Sequence, residues 1–263
     1  MSKKARSSSP PDLSRLLDFP MDRQLKDALS SAATLKRHKA GDSVFHFSLH
    51  RQDVHVVASG VLMRRQLHSS GSEGFLTRFH GAKNILGLES LFTPGIQGHL
   101  KVVDTAVTDA ETWAIPVAEF DALVTRYPTF ARGLIHYLSR ENAIVTMLVI
   151  MRKRKDNPGF LARVLLQLLG LFRASLPKED ECLISNISRN HLAEYTGMSR
   201  QMVFGILGKL EKSGIIRREG RNLRIENLEA LVRAATLEEP KRSRHPAPLA
   251  YQFSIPAWSA PLR

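Results

Sequence analysis

One short stretch of the chain carries the side chains best suited to binding a nucleic acid. Arg200 and Gln201 follow Ser199, a residue type that caps helices, so both are predicted to lie in the first turn of a helix. Guanidinium and amide groups at that position hydrogen-bond to base edges, while hydroxyl and backbone N–H groups hold phosphates. The chemistry predicted for this stretch is recognition of DNA rather than catalysis.

Apolar spacing predicts the two helices that position these side chains. The buried face of the second helix is expected to consist of Met202, Val203, Ile206, Leu207 and Leu210. Phe204 and Lys209 are then left on its outward face. Ser188 is expected to cap a shorter first helix, and Gly197 to supply the tight turn between the two. The pattern predicts a helix-turn-helix.

A basic hairpin is predicted directly after the second helix. Residues 215–218 and 222–225 alternate around a turn at 219–221, which is typical of a wing. From residue 188 to residue 224, eight Lys or Arg residues stand against three Glu residues, a net charge of +5. Such a basic face suits phosphate neutralisation. The residues predicted to bind DNA are Arg189, Ser199, Arg200, Gln201, Phe204, Lys209 and Arg221.

Residues 188–231 resemble the C-terminal DNA-binding domain of the CRP/FNR superfamily of bacterial transcription regulators. The segment 207–231, LGKLEKSGIIRREGRNLRIENLEAL, carries the FNR-type order of helix, Lys-Ser-Gly turn, wing and closing helix. The span from about 30 to 235 fits the family layout. The resemblance implies a cytoplasmic homodimer that binds an inverted repeat in double-stranded DNA. RNA polymerase would be a further partner if the protein is an activator.

Within the second helix the match to the family is partial. Ser199 and Arg200 match family residues that bind phosphate and base. Gln201 stands where relatives commonly carry Glu, and Gly205 stands where they carry Arg. Because glutamine pairs with adenine whereas glutamate accepts from cytosine, the operator is expected to differ from those of the best-known relatives.

The resemblance also implies an α+β fold. An N-terminal β-roll like that of cyclic-nucleotide-binding domains, a long dimerisation helix and a C-terminal winged helix-turn-helix are expected at residues 19–128, 129–155 and 156–235. A flexible basic arm at 1–18 and a flexible Pro-rich tail at 236–263 are expected at the ends. Short β-prone segments separated by turn residues favour the roll: 43–47, 54–58, 61–67, 75–79, 100–107 and 111–115.

Composition narrows the class of protein. The 263 residues, 43% of them hydrophobic, suffice for a sizeable core, and a formal charge of +13 suits a polyanionic partner. No apolar run approaches the roughly 18 residues that a membrane span requires, and the N-terminus lacks the apolar core of a secretory signal. A cytosolic protein without a membrane partner is expected. The single cysteine, Cys182, excludes an all-cysteine iron–sulfur site within one chain.

One segment of the predicted roll resembles the family's cyclic-nucleotide cassette. Aligned on Gly87 and Gly95, the position of the ribose-binding glutamate falls on Leu88, and the phosphate-binding Arg-Ser pair falls on Gly98 and His99. A buried phosphate needs a fixed cation or several N–H donors, so we expect neither cyclic AMP nor cyclic GMP to bind. The candidate residues of an effector pocket are Gly87, Leu88, Glu89, Ser90, Gly98 and His99.

Histidines in the N-terminal half raise the question of a metal or haem site. They are His38, His46, His50, His55, His68, His80 and His99. The spacing lacks the His-x-His and following Glu that are typical of a metal-binding β-roll, so no metal, no cofactor and no catalytic residue is predicted. Two alternatives from other classes stay open: a sensor whose output is a protein partner, and a cupin-like metalloenzyme fused to a basic domain.

A long helix is predicted from about Thr129 to Arg152, followed by a hinge in which Asn157 caps and Pro158 begins the next helix. Along the long helix, residues at alternating steps of 4 and 3 predict a coiled-coil dimer interface: Phe130, Leu134, Tyr137, Glu141, Ile144, Leu148 and Met151. The alternative is that this stripe packs on the β-roll of its own chain.

Overall fold

The structure is a computed structural model of the chain. It describes Leu17 and residues 19–46, 53–67, 74–92, 101–153, 156–176 and 182–236. The predicted basic arm, apart from Leu17, and the predicted tail, apart from Thr236, lie outside the described residues. No helix within these ranges combines the length and the apolar character needed to cross a membrane.

The N-terminal domain is a β-roll of two antiparallel sheets. Its strands are β1 (Thr34–His38), β2 (Ser43–His46), β3 (Val54–Ser59), β4 (Leu62–Gln66), β5 (Phe75–His80), β6 (Ile85–Leu86), β7 (Val102–Ala106) and β8 (Ala110–Ile115). One sheet has the order β1-β8-β3-β6 and the other β2-β7-β4-β5. Alternate residues of β7 are buried, as expected for strands that face a core on one side. Each of the six predicted segments coincides with a strand, whereas β1 and β6 were not predicted.

Four helices accompany the roll. They are α1 (Arg23–Ala32), α2 (Glu89–Phe92), α3 (Val117–Arg126) and α4 (Pro128–Lys153). Leu25 and Leu29 of α1 are fully buried in a cluster that also holds Phe120 of α3 and Phe130 of α4. Helix α1 was not predicted from the sequence. The predicted long helix corresponds to α4, which a single residue, Tyr127, separates from α3.

Five of the seven residues of the predicted dimer stripe on α4 are buried within their own chain. Phe130, Leu134 and Tyr137 are buried against the β-roll, and the Tyr137 hydroxyl accepts a hydrogen bond from the backbone N–H of Ile85 at 2.9 Å. Glu141 is buried in an ion pair with Arg78 of β5 at 3.0 Å. Further along the stripe, Met151 is buried and Leu148 partly buried in the core of the C-terminal domain, while Ile144 is half-buried. The burial of Phe130, Leu134, Tyr137 and Glu141 agrees with the alternative, in which the stripe packs on the roll, and the dimer contact of α4 stays a prediction.

The C-terminal domain is a winged helix-turn-helix. Its elements are α5 (Asn157–Ser175), β9 (Leu183–Ile184), α6 (Arg189–Thr196), α7 (Arg200–Lys212), β10 (Ile216–Glu219), β11 (Asn222–Ile225) and α8 (Leu228–Ala235). The strands form one sheet in the order β10-β11-β9. The cap of α5 differs from the prediction, because the Asp156 carboxylate accepts from the Gly159 N–H at 3.0 Å, whereas Asn157 is the first helical residue.

The two domains share one hydrophobic cluster. Phe79 of β5 packs edge-on against Tyr195 of α6, with ring centroids 5.0 Å apart. Ser175, at the end of α5, accepts a hydrogen bond from the Ala82 N–H through its hydroxyl at 2.7 Å. Arg65 of β4 forms an ion pair with Glu194 of α6 at 2.7 Å. Within the helix-turn-helix, the contacts with the roll described here are made by α6 and not by α7.

Candidate DNA-binding surface

Both helices of the helix-turn-helix begin at the predicted serines. The Ser199 hydroxyl accepts from the Met202 N–H at 3.2 Å, and the Ser188 hydroxyl accepts from the His191 N–H at 3.1 Å. Gly197 ends α6 with a φ of 72°, a left-handed conformation that costs glycine little. Capping of this kind typically stabilises a helix by about 1 kcal/mol, so local sequence determines where α7 starts.

The outward face of α7 carries the predicted recognition side chains. Arg200, Gln201 and Lys209 are exposed, and Phe204 is 50% exposed in spite of its aromatic ring. Met202 is a correction, because it is 42% exposed, whereas the spacing placed it on the buried face. The other four predicted core residues, Val203, Ile206, Leu207 and Leu210, are buried.

Two arginines hold the ring of Phe204. The guanidinium of Arg189, at the start of α6, lies 5.0 Å from the ring centroid, and that of Arg218, on β10, lies 5.4 Å from it. Both distances fall within the range of a cation–π contact. A shallow depression of about 330 Å³ adjoins the ring and is lined by Arg189, Asn190, Arg200, Gln201 and Phe204. Sequence analysis predicted the individual residues, but not their grouping around one aromatic side chain.

Ion pairs divide the basic residues of the domain into two groups. Arg217, Arg218 and Arg224 pair with carboxylates of the same domain, and the contact with Arg218 lowers the pKa of Glu211. By contrast, no carboxylate of the described residues lies within ion-pairing distance of Arg189, Arg200, Lys209, Lys212 or Arg221. The second group contains all four of the basic residues predicted to bind DNA, and it adds Lys212.

The wing carries Arg221 at its tip. β10 and β11 pair from Ile216 with Ile225 to Glu219 with Asn222, and Gly220 in the turn has a φ of 65°. Ile216 and Ile225 are buried in the core of the domain, which fixes the base of the hairpin. The exposed Arg221 therefore stands on a supported hairpin rather than on an isolated loop.

Three of the candidate effector residues are enclosed by the β-roll. Gly87 is buried with a φ of 85°, and a Cβ atom there would lie 2.9 Å from the carbonyl oxygen of Asp53. Leu88 is 7% exposed and belongs to the core beneath α4. Glu89 forms an ion pair with Arg64. The side chain of Ser90 and both Gly98 and His99 lie outside the described residues, so the position of the phosphate clamp remains a prediction.

A buried polar network inside the roll was not predicted. Arg64 of β4 also pairs with Asp104 of β7 at 2.8 Å, where Asp104 is fully buried. The imidazole of His80 lies 3.6 Å from the same carboxylate, and neither ring nitrogen has a hydrogen-bond partner among the described residues. Burial, with the charges of Arg64 and Arg78, lowers the pKa of His80 well below its ordinary value. The pairing of β4 with both β7 and β5 brings Arg64, Asp104 and His80 together, so sequence spacing carries no signal for the network.

The other histidines that the structure describes in the roll form no metal-ligand cluster. His38 and His55 share the hydroxyl of Thr112, at 3.0 and 3.1 Å, and burial lowers the pKa of His55 to about 4. Within the described ranges, no group of three His, Cys, Asp or Glu side chains is arranged to hold a metal ion. His50, His68 and His99 fall outside those ranges.

A second stripe on α4 is largely exposed and, apart from Asn142, apolar. Its members lie beside the predicted stripe and again alternate by 4 and 3: Ala131, Ile135, Leu138, Asn142, Val145 and Val149. Ile135 is 63% exposed, Leu138 42%, and Val145 and Val149 46% each. In heptad terms these residues occupy a and d positions, with Asn142 at an a position. We call Ile135, Leu138, Asn142, Val145 and Val149 the open seam.

Comparisons with known proteins agree on one family. A family model of the Crp-like helix-turn-helix domain matches residues 161–234. The chain is 26% identical to the transcriptional activator protein Anr of Pseudomonas protegens over 212 residues, which cover 80% of this chain and 84% of Anr. It is 22% identical to the fumarate and nitrate reduction regulatory protein of Escherichia coli K12, covering 83% of this chain and 86% of that protein.

Solved structures show the same fold. FixK2 from Bradyrhizobium japonicum superposes with a TM-score of 0.62 at 18% identity, covering 79% of this chain and 99% of FixK2. A regulator of the crp/fnr family from Eubacterium rectale superposes with a TM-score of 0.61 at 17% identity, covering 82% of this chain and 95% of its own. The likeness therefore spans the β-roll, the long helix and the winged helix-turn-helix together.

Proposed function

The chain belongs to the CRP/FNR superfamily of DNA-binding transcription regulators, and we propose that it binds an inverted-repeat operator as a homodimer. Each subunit would insert α7 into a major groove and set its wing on the flanking backbone. Two half-sites one helical turn apart, roughly 10 bp from centre to centre, match this geometry. Since the family consists of transcription regulators, the protein has no proposed catalytic step.

The exposed face of α7 is the observation that carries this proposal. Arg200 and Gln201 lie in the first helical turn, and both are exposed. The exposed cations Arg189, Lys209 and Arg221 of the same domain do not pair with carboxylates of the described residues. Cations that are not already neutralised can release counterions from DNA phosphates, which supplies affinity. The neutral Gln201 and the guanidinium of Arg200 supply the base contacts.

We assign the dimer contact to the open seam of α4. Its β-branched residues at a positions, Ile135 and Val149, and Leu138 at a d position are typical of parallel two-stranded coiled coils. Asn142 occupies a position where a buried asparagine pairs with its symmetry mate and fixes both register and strand number. An apolar stripe of this length is otherwise left in water, and burying it supplies the driving force for dimerisation.

The proposed operator binding is independent of cyclic AMP and cyclic GMP. Leu88 occupies the position of the ribose-binding glutamate and is part of the core, while Glu89 is held by Arg64. A phosphate that entered this site would lose its hydrating water. Among the described residues of the site, no unpaired cation is present to compensate for that loss. The proposal therefore assigns no cyclic-nucleotide effector. It also assigns the cytosol as the site of action, where a regulator meets its operator.

Selection from random DNA tests the proposal. The purified full-length chain is expected to retain fragments that share an inverted repeat, and Arg200→Ala should weaken binding to the selected site by about 1–3 kcal/mol per contact. Arg233→Ala is the matched control, because Arg233 is an exposed arginine of the same domain that pairs with Glu229 on α8. Retained fragments without a shared repeat, or equal losses for the two variants, would refute the proposal.

A further inference from the structure

Phe204 is a large apolar side chain on the exposed face of α7. It is 50% exposed, and the guanidinium groups of two arginines contact its ring. It follows Arg200 by one helical turn and Gln201 by three residues, so all three side chains share one face of the helix. The depression beside the ring is lined by the same three residues. The ring therefore belongs to the surface that is proposed to contact base edges.

The chemistry of base edges limits what an aromatic ring can recognise there. In the major groove, guanine, adenine and cytosine present hydrogen-bond donors and acceptors, whereas thymine adds an apolar 5-methyl group. Phe204 has no polar atom, so a polar edge would be desolvated against it without compensation. We infer that Phe204 reads the 5-methyl group of a thymine in each half-site, beside the adenine that suits Gln201. This inference rests on the proposed function and names the bases that it selects.

Neighbouring residues favour the same assignment. A Cβ atom at Gly205 would meet nothing within 4 Å, so no side chain there competes for the groove floor. Arg189 of α6 and Arg218 of β10 both contact the ring, so two separate elements hold it. Held in this way, the ring loses little conformational freedom on binding. A fixed apolar edge next to the amide of Gln201 matches thymine and adenine better than a guanine–cytosine pair.

Replacing thymine by deoxyuridine tests the inference, because that exchange removes only the methyl group. In the selected operator, each thymine is replaced in turn in both half-sites, and the affinity of the full-length protein is measured. At one thymine position per half-site we expect a loss of about fourfold per methyl group, or about 15-fold for both, from the usual gain on burying one such group. No loss at any position would overturn the inference.

Variants then assign the methyl contact to Phe204. Phe204→Ala and Phe204→Gln should bind the thymine and uracil operators equally. Met202→Ala is the matched control, since Met202 is also an exposed apolar residue of α7 but lies on the opposite flank, and it should keep the thymine preference. A preference that persists in the Phe204 variants would assign the methyl contact elsewhere and overturn the inference. Loss of all binding in both Phe204 variants would also overturn the inference, because loss of methyl contacts worth about 15-fold does not abolish binding.

The two levels of the proposal fail in different ways. If random DNA yields no shared operator, the proposed DNA-binding function itself fails, and no thymine is left to replace. If an operator emerges and its affinity is indifferent to the methyl groups, the proposed function stands and only the role of Phe204 is wrong.

Discussion

Charging the open seam of α4 should separate the subunits without unfolding them. Leu138 and Val145 are 42% and 46% exposed in the single chain, so lysine at both positions is tolerated there. In a dimer, the two substitutions would bury four ammonium groups. At about 1–3 kcal/mol for each buried unsatisfied group, the interface loses about 4–12 kcal/mol, which weakens association at least about a thousandfold.

Sedimentation analysis at micromolar concentration measures the outcome. We expect a dimer for the wild type and a monomer with an unchanged circular-dichroism spectrum for Leu138→Lys with Val145→Lys. The control is Met147→Lys with Ile150→Lys, which adds the same charge to exposed residues outside the seam and should stay dimeric. Substituting Leu134, which is 2% exposed, should instead destabilise the protomer. A dimeric seam variant would refute this assignment of the interface.

Three further predictions concern the wing, the pH dependence and the effector. Arg221→Ala should weaken binding to all DNA sequences alike. In binding assays at several salt concentrations, it should also reduce the slope of log affinity against log salt concentration by about 0.9 for each arginine removed. A loss of affinity confined to the operator would contradict a phosphate contact. Because burial lowers the pKa of His55 to about 4, the unfolded chain takes up a proton below its ordinary pKa of 6.5 while the folded chain does not. His55 should therefore lower the free energy of unfolding by about 2 kcal/mol between roughly pH 7.5 and pH 5. Urea titrations should show a smaller decrease for His55→Gln than for the wild type. Equal decreases in the two proteins would exclude His55 as the cause. Calorimetric titration with cyclic AMP or cyclic GMP should detect no micromolar binding, and such binding with a tenfold gain in operator affinity would contradict the proposed independence of these nucleotides.

Local sequence signals predicted the DNA-binding domain well. The caps Ser188 and Ser199 act within three residues of their partners, and Gly197 and Gly220 take left-handed conformations that the chain needs at those turns. Such features depend on neighbours in sequence, which makes them visible before folding is considered. Met202 was misassigned because its spacing fits either edge of the buried face, and only packing decides between them.

Contacts between residues that are distant in the chain could not be predicted from the sequence. On α4, heptad spacing runs through two adjacent stripes, and spacing alone does not say which of them the β-roll covers. The roll covers the stripe that contains Tyr137 and Glu141, because Ile85 and Arg78 lie opposite to bind them. The network around Arg64 likewise depends on strands that are distant in sequence.

The ratio of operator affinity to random-DNA affinity tests the central claim most directly. Selective regulators bind their sites at least about 10³ times more tightly than random DNA at physiological salt. We predict a ratio in that range for the wild-type chain. Arg200→Ala should reduce the ratio, since Arg200 is the arginine proposed to contact a base, whereas Arg233→Ala should leave it unchanged. A wild-type ratio within a few-fold of one would contradict sequence-specific recognition by α7.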